Sequence, residues 1–297
     1  MTDIRFKGIT TALVTPFNEA GEVDEPGLRT LIDHQIEAGV DGIAVVAGSG
    51  EAVNLSPSEQ EQVVRVCVEH AAKRIEVIAG VLAPDTRSAV AWSKQASRLG
   101  VDGLLVLTPF YNRPSKAGVV HHFKAVADAT DTPVLLYNNP GRTGISLDIN
   151  DYVTLSESER IVGVKECNRD LADFSRLIAE LGDRWAVLSG EDDLLYPSLA
   201  LGAAGGIITT GNILPRLWVD MYAAVAQGDH AKAKAEHYKV LPVIRAVYTL
   251  NHPALVKEAI RILDMPGGRT RAPLMNPTTE QCKIIKEVLE DMSLNDA

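Results

Sequence analysis

The chain contains 297 residues, of which 46% are hydrophobic and 23% are charged, which is enough apolar material for a large buried core. The net charge of −10 excludes the basic surface of a nucleic-acid-binding protein, and the apolar runs are too short to span a membrane. The three cysteines (Cys67, Cys167 and Cys282) are far apart, which indicates reduced thiols in a cytoplasmic protein. No spacing of cysteine and histidine is typical of a zinc site, so the sequence predicts neither a metal nor a cofactor.

One pattern recurs along the chain: a short β-branched run, a turn rich in polar, glycine or proline residues, and an amphipathic helix. The runs predict strands over 9–15, 42–46, 76–79, 103–107, 133–136, 161–165, 185–188 and 206–210. Helices are predicted over 25–38, 115–129, 170–181 and 215–226, and two more begin at Ser56 and Asp85. Ser56 is followed by Pro57 and Glu59, which is the arrangement of a capping box.

Eight strand–helix units within roughly 225 residues match the size of a closed (β/α)₈ barrel. The alternative is an open, doubly wound sheet, which usually carries a glycine-rich fingerprint after its first strand. Here the first strand leads into Val14-Thr15-Pro16-Phe17 instead. Beyond residue 227 only helical segments remain, near 230–247, 253–263 and 278–291. The sequence therefore predicts an α/β protein with a TIM barrel over residues 1–227 and a helical subdomain over 228–297 that packs on it.

The sixth predicted strand leads directly into Lys165. A continuous apolar run of this kind is typical of a parallel strand that is buried on both faces, so Lys165 lies at the edge of a hydrophobic interior. Desolvation there disfavours the ammonium form, which predicts a neutral, nucleophilic amine that can form a Schiff base with a ketone. A lysine that extends its charged end into water is the alternative.

Other candidate residues follow the neighbouring strands, and the strand ends of such barrels share one face. Tyr137 ends the fifth strand beside Lys165, and its hydroxyl can shuttle protons. Gly48 and Ser49 follow the second strand, where their backbone N–H groups can bind a carboxylate. Arg142 lies in the turn after the fifth strand and can bind a second carboxylate in a bidentate manner.

Three more residues are predicted at the same mouth: Tyr111 after the fourth strand, and Thr209 and Thr210 at the end of the eighth. Each candidate alone also has a structural explanation, such as a tyrosine packed at an interface, and only their coincidence at one barrel end indicates an active site. His121 and His122 face different directions on a predicted helix, so both are expected at the surface.

Five segments carry a family resemblance: ITTALVTPF at 9–17, GE at 50–51, TPFYNRP at 108–114, YNNPGRTG at 137–144 and GVKE at 163–166. With them the chain resembles the dihydrodipicolinate synthase/N-acetylneuraminate lyase family over essentially its whole length. The resemblance implies a class I mechanism without a cofactor, in which Lys165 condenses with the ketone of pyruvate or a related 2-oxo acid. An aldehyde or a hydroxy acid would be the second substrate.

The resemblance also implies individual roles. The N–H groups of Gly48 and Ser49 would bind the carboxylate of the 2-oxo acid, Tyr137 would shuttle protons, and the carbonyl of Ile207 would lie near the reacting centre. Tyr111 would be the tyrosine that family members insert into the site of a neighbouring subunit. The protein is therefore expected to be a homo-oligomer, either a dimer or a tetramer.

The turn that contains Arg142 favours the synthase branch of the family, in which this arginine would bind the carboxylate of aspartate semialdehyde. N-acetylneuraminate lyases usually lack it. Gly48 and Ser49, however, stand where synthases usually carry two threonines, so the proton relay through the first hydroxyl is lost unless Ser49 or a water replaces it. Glu166-Cys167-Asn168-Arg169 also contains bulkier polar residues where a small Ala-Thr-Gly sequence is usual after the glutamate, which could reshape the pocket.

These departures leave a catabolic relative as an alternative, either a keto-deoxy-sugar-acid aldolase or dehydratase or a hydroxyproline-pathway deaminase. A non-catalytic barrel that senses a 2-oxo acid is a further alternative. A phosphate-binding isomerase or aldolase is another, with its phosphate near Gly205 and Gly206.

The resemblance also bears on feedback by lysine. The residues that usually bind lysine in the synthases are His, His, Asn, Glu and Tyr. Their positions hold Pro57, Gln60, Pro84, Ser88 and Phe110 here, so we expect that lysine does not inhibit this protein.

Overall fold

The computed structural model describes residues 4–249 and 252–294, so the outermost residues of the predicted domains, 1–3 and 295–297, lie outside the described part. The strands form one closed parallel sheet in the order β1 to β8, with β8 hydrogen-bonded back to β1. The predicted TIM barrel is therefore confirmed and the open sheet is excluded. The strands are β1 (Gly8–Ala12), β2 (Gly42–Val45), β3 (Glu76–Val81), β4 (Gly103–Leu107), β5 (Val134–Asn138), β6 (Ile161–Glu166), β7 (Ala186–Ser189) and β8 (Gly205–Ile208).

Helices surround the barrel and continue beyond its last strand. They are α1 (Glu25–Ala38), α2 (Pro57–Ala71), α3 (Thr86–Arg98), α4 (Lys116–Ala127), α5 (Pro140–Thr143), α6 (Ile149–Leu155), α7 (Leu171–Leu181), α8 (Leu195–Ala200), α9 (Pro215–Ala226), α10 (His230–Val247), α11 (Ala254–Ile262) and α12 (Thr279–Leu294). The predicted bounds of α1, α9 and α10 coincide with the observed ones. The sequence does not predict α5, α6 and α8, because their 4, 7 and 6 residues are too few to show a helical period.

Local side-chain contacts fix the helix ends. The Ser56 hydroxyl accepts the N–H of Glu59 at 3.3 Å while the Glu59 carboxylate accepts the N–H of Ser56 at 2.8 Å, so the predicted capping box is present. The predicted start at Asp85 is also confirmed, since its carboxylate accepts the N–H of Ser88 at 2.9 Å. Gly39 ends α1 in the left-handed conformation, with φ of 82°, where a residue without Cβ is favoured.

Side chains alternate between the inside and the outside of the barrel along each strand. In β4, Leu104 and Val106 pack outward against the helices, whereas Leu105 lies in the interior cluster. The same alternation in β5 puts Tyr137 in the interior cluster. Since β5 and β6 pair Tyr137 with Lys165, the two residues end their strands side by side.

One prediction for helix α4 is wrong. His122 is only 1% exposed, and its ring packs edge-on against Phe123, with Nδ1 lying 3.1 Å from Oγ1 of Thr86 on α3. Burial lowers the pKa of His122 to about 4, so a neutral ring fills the space between α3 and α4. His121 is exposed as expected.

The helices after the barrel pack against its last helix and against one another. Helix α10 packs against α9, and α12 packs against α10 and α11. Helix α11 also contacts the helical turn Thr210–Asn212, which follows β8. Over the residues described, no helix is long and apolar enough to cross a membrane.

Candidate active site

A cavity of about 620 Å³ opens at the carboxyl ends of the strands, the face on which (β/α)₈ barrels carry their active sites. Its lining includes Gly48, Ser49, Tyr137, Arg142 and Lys165. The structure therefore brings together most of the predicted site residues in one cavity.

Lys165 and Tyr137 form the base of this cavity. Both are buried, with 5% and 7% of their surfaces exposed, and Nζ of Lys165 lies 4.6 Å from the centroid of the Tyr137 ring. The inward orientation of Lys165 is thus the observed one, and the alternative of a lysine extended into water is excluded.

The charge of Lys165 differs from the expectation of a neutral amine. Burial acts to lower its pKa, but the acidic groups of Tyr137, Cys167, Asp192 and Glu191 outweigh burial, and the pKa of Lys165 is raised above its ordinary value. Burial also raises the pKa of Tyr137. The surroundings of Lys165 therefore shift its pKa in the direction opposite to the one on which the expectation of a neutral amine depends.

The loop after β2 presents polar groups to the cavity. Ser49 is 3% exposed, and its hydroxyl lies 3.1 Å from Oγ1 of Thr209 and 3.0 Å from Nε2 of His252. Gly48 is exposed, and a Cβ at this position would meet no atom within 4 Å. Among the described residues, neither the N–H of Gly48 nor that of Ser49 donates a hydrogen bond, so both can bind an anion.

The same loop is anchored to the C-terminal region by a buried ion pair. Nζ of Lys257 lies 2.5 Å from Oε1 of Glu51, and the two side chains are 1% and 0% exposed. The second carboxylate oxygen of Glu51 accepts the N–H of Arg271 at 3.1 Å. Glu51 itself has φ of 54°, a conformation that these contacts hold in place.

Arg142 lies on the short helix α5 at the rim of the cavity. Pro140 starts this helix, and the side chain of Asn139 caps it by accepting the N–H of Arg142 at 3.2 Å. The amide Nδ2 of Asn139 also donates to the Tyr137 hydroxyl at 3.1 Å. Asn139 thus links the exposed arginine to the buried tyrosine, a role that the sequence does not reveal.

Three predicted site residues do not line the cavity. Thr210 is fully buried, and its hydroxyl donates to the carboxylate of Asp192 at 2.6 Å. Tyr111 is 91% exposed, with φ of 69°, and borders a neighbouring surface depression together with Arg113 and Arg142. Ile207 is fully buried in the interior cluster of the barrel.

The residues after Lys165 affect the cavity less than expected. Cys167 is buried and lines the wall. Asn168 instead accepts the N–H of Asp170 at 3.2 Å. Arg169 does not line the cavity and pairs with Asp193 and with Glu191, which is part of the lining, each at 2.5 Å. Of the three departures in this segment, only Cys167 changes the cavity lining.

Sequence analysis missed several residues that complete the cavity. Glu191 follows β7, so the strand-end rule could have found it. Tyr248, His252 and Leu274 come from the region beyond the barrel, and their local sequence carries no signal of a site.

The structure does not support the alternative of a phosphate-binding loop near Gly205 and Gly206. Gly205 belongs to β8, and a Cβ there would lie 1.9 Å from the carbonyl oxygen of Gly8, so it packs against β1 instead of forming a phosphate loop. In residues 4–249 and 252–294, no group of three or more histidine, cysteine, aspartate or glutamate side chains is arranged to hold a metal ion.

An inward lysine next to a buried tyrosine, at the carboxyl end of a (β/α)₈ barrel, defines a barrel enzyme of the lyase class with lysine Schiff-base chemistry. Comparison with known proteins gives the family. The family model described as the dihydrodipicolinate synthetase family matches residues 5–292, and the chain belongs to this family.

The relatives are similar over nearly their whole length. A 4-hydroxy-tetrahydrodipicolinate synthase of Methanospirillum hungatei is 39% identical over 287 residues, which cover 96% of this chain and 98% of the relative. The crystal structure of dihydrodipicolinate synthase from Aquifex aeolicus has a TM-score of 0.94 and 37% identity, covering 97% and 99% of the two chains. The enzyme from Cyanidioschyzon merolae, whose structure has lysine bound, has a TM-score of 0.94 and 33% identity, covering 97% and 99%.

Proposed function

We propose that this protein acts as a 4-hydroxy-tetrahydrodipicolinate synthase and joins pyruvate to aspartate semialdehyde through a Schiff base on Lys165. The observation that carries the proposal is the buried amine of Lys165, 4.6 Å from the Tyr137 ring and open to a cavity with Arg142 at its rim. The names of the relatives support the choice of reaction.

In this reaction Nζ of Lys165 loses a proton and attacks the ketone carbon of pyruvate. The carbonyl oxygen leaves as water with the two remaining amine hydrogens, which gives a neutral imine. The imine nitrogen then takes up a proton and the methyl group loses one, which gives an enamine that attacks the aldehyde. Tyr137 would move these protons, a role supported by its burial and by the 4.6 Å between its ring centroid and the amine. Asn139 donates to its hydroxyl, which orients this group and favours the phenolate when the proton leaves.

The two substrate carboxylates would bind to different residues of the cavity lining. The N–H groups of Gly48 and Ser49, which donate no hydrogen bond among the described residues, suit the carboxylate of pyruvate because they are adjacent in a small-residue loop. Arg142 suits the carboxylate of aspartate semialdehyde, since its guanidinium can form two parallel hydrogen bonds.

Tyr111 would act in the site of a second protomer. Its ring is 91% exposed, and it shares a surface depression with Arg142 next to the cavity mouth, which fits a face that a partner chain covers. We therefore expect a dimer or a tetramer. Analytical ultracentrifugation tests this, and a monomer at micromolar concentration would contradict it.

Borohydride trapping tests the central step. Incubation with pyruvate and borohydride should reduce the imine and add the pyruvate carbon skeleton to Lys165, which peptide mass spectrometry locates. Lys165→Ala should give no adduct, whereas Lys124→Ala, at the surface and paired with Glu157, should react like the wild type. The absence of an adduct on wild-type protein would refute the proposal.

A catabolic relative is the second candidate, and the lack of a hydroxyl at Gly48 favours it, because the space there is open. A panel of pyruvate with aspartate semialdehyde, sialic acid, keto-deoxy sugar acids and pyrroline hydroxy-carboxylate separates the two. Turnover with aspartate semialdehyde as the best substrate is the expected result. A sugar acid turned over faster would select the catabolic reaction.

Two further features remain part of the proposal. A cytoplasmic location is supported by three cysteines that form no disulfide. The division into a catalytic barrel over 1–227 and a helical subdomain over 228–297 is supported by the position of α10 directly after the last barrel helix.

A further inference from the structure

The region beyond the barrel contributes two aromatic side chains to the cavity, and the reaction described above gives them no role. Tyr248 follows α10 and His252 precedes α11. Their rings stack, with centroids 5.6 Å apart and an interplanar angle of 8°. Both line the cavity that contains Lys165.

His252 reaches the substrate-binding loop through Ser49. Its Nε2 lies 3.0 Å from the Ser49 hydroxyl, and the same hydroxyl lies 3.1 Å from Oγ1 of Thr209. Ser49 and Thr209 are 3% and 7% exposed, so these contacts lie away from bulk water. The Ser49 oxygen thus has one partner from β8 and one from the C-terminal region.

The direction of these hydrogen bonds decides what Ser49 can do. A serine hydroxyl has one proton and two lone pairs. When His252 and Thr209 both donate to the lone pairs, the single proton of Ser49 remains available for a carboxylate. When Ser49 donates to His252 instead, the hydroxyl turns a lone pair toward the carboxylate, and the two repel each other.

The surroundings of His252 favour the part of the first arrangement in which its Nε2–H donates to Ser49. Its Nδ1 is buried and has no hydrogen-bond partner within the described chain. A proton on Nδ1 would bury an N–H group without an acceptor, so the proton belongs on Nε2, where Ser49 can accept it. Burial, reinforced by the positive charges of Arg142 and Lys165, lowers the pKa of His252 to about 3, so the ring is neutral at pH 7.

We propose that His252 is a positioning residue whose Nε2–H holds the Ser49 hydroxyl as a hydrogen-bond donor to the carboxylate of the 2-oxo acid. The inference rests on the proposed function, which gives Ser49 its substrate. It assigns the C-terminal region a direct part in substrate binding. It also explains how the loop keeps a fixed donor although Gly48 has no hydroxyl.

Two substitutions of His252 separate hydrogen bonding from packing. His252→Phe keeps a ring that can stack on Tyr248 but removes the donor, whereas His252→Gln keeps an amide donor. We expect KM for pyruvate to rise about tenfold in His252→Phe, the equivalent of one hydrogen bond of about 1.4 kcal/mol, with a smaller change in kcat. His252→Gln should recover part of this loss. An unchanged KM in His252→Phe would overturn the proposal.

A double-mutant cycle tests whether His252 acts through Ser49. Ser49→Ala removes the hydroxyl, so adding His252→Phe should raise KM no further. Equal tenfold effects in both backgrounds would show that His252 acts by another route and would overturn the proposal.

Nitrogen NMR of the His252 ring reads the tautomer in the free protein and needs no turnover. We expect a proton on Nε2 and none on Nδ1, and the opposite tautomer would overturn the proposal. Pyruvate trapping by the wild-type protein is measured in parallel. A missing adduct would contradict the proposed function, whereas the NMR result decides the state of His252 independently.

Discussion

Lys165 and Lys257 are both almost fully buried, yet of the two only Lys257 forms a direct ion pair among the described residues. Nζ of Lys257 contacts the Glu51 carboxylate at 2.5 Å and the Arg269 carbonyl at 2.9 Å, and it lies 4.3 Å from the centroid of the Phe17 ring. Lys165 forms no ion pair within the described residues, and its amine faces an open cavity.

The pKa values of the two lysines do not explain why their environments differ. Burial lowers the pKa of Lys257 to about 8, against the opposing effect of Glu51, while the pKa of Lys165 is raised. Both amines are therefore mainly protonated at pH 7. The donors of Lys257 are occupied by the protein, whereas the amine of Lys165 is accessible to a ligand, as its proposed role requires. Access and free hydrogen-bonding capacity, not charge state, separate the two environments.

The largest effect is expected on turnover, when the hydroxyl next to Lys165 is removed. Tyr137→Phe keeps the ring that contacts the amine and removes only the hydroxyl. We expect turnover to fall by roughly 10²–10⁴ if this hydroxyl moves the protons. Steady-state kinetics measure this, with Tyr238→Phe, an exposed tyrosine on α10, as the matched control. Normal turnover of Tyr137→Phe would remove its role.

The two lysines should also differ in stability when each is replaced by methionine. Lys257→Met leaves the Glu51 carboxylate buried without its counter-ion and should lower the free energy of unfolding by about 3–5 kcal/mol. Lys165→Met leaves no unpaired partner and should change it by no more than about 1 kcal/mol. Urea unfolding measures both. Equal losses would show that the contrast between the two sites is incorrect.

The raised pKa of Lys165 predicts a pH dependence. Below that pKa the fraction of free amine rises about tenfold per pH unit, so the rate of imine formation at low pyruvate should rise from pH 6 to pH 8. Quenched-flow trapping with borohydride measures the rate. A rate that is flat above pH 7 would instead indicate a lowered pKa and a neutral amine.

The smallest expected effect is the response to lysine. Pro57 and Pro84 offer no polar side-chain atom, and the amide of Gln60 already donates to the carbonyl of Ala52 at 2.9 Å. We expect the initial rate to be unchanged at millimolar lysine. A saturable inhibition curve would show that this chain binds lysine after all.

Most of the fold follows from local sequence signals. The strands are short branched runs, and caps such as Ser56 and Asp85 mark helix starts within a few residues. The strand-end rule then places Lys165, Tyr137, Ser49 and Gly48 at one mouth.

Features that depend on distant contacts could not be predicted in this way. The charge of Lys165 depends on Asp192 and Glu191, which follow a different strand. His252 meets Ser49 across 203 residues, and nothing in its local sequence indicates this contact. The surface prediction for His122 is wrong because two adjacent helical residues that face different directions need not both face solvent, and the side with His122 packs against α3.

The Glu51–Lys257 ion pair has a consequence for biosynthesis, because its members are 206 residues apart. Ribosomes add about 5–20 residues per second, so Glu51 is made roughly 10–40 s before Lys257. During translation the loop of Gly48 and Ser49 therefore lacks its anchor. The nascent chain should acquire affinity for pyruvate only after Lys257 has left the exit tunnel, and ribosome-stalled chains of increasing length would show whether it does.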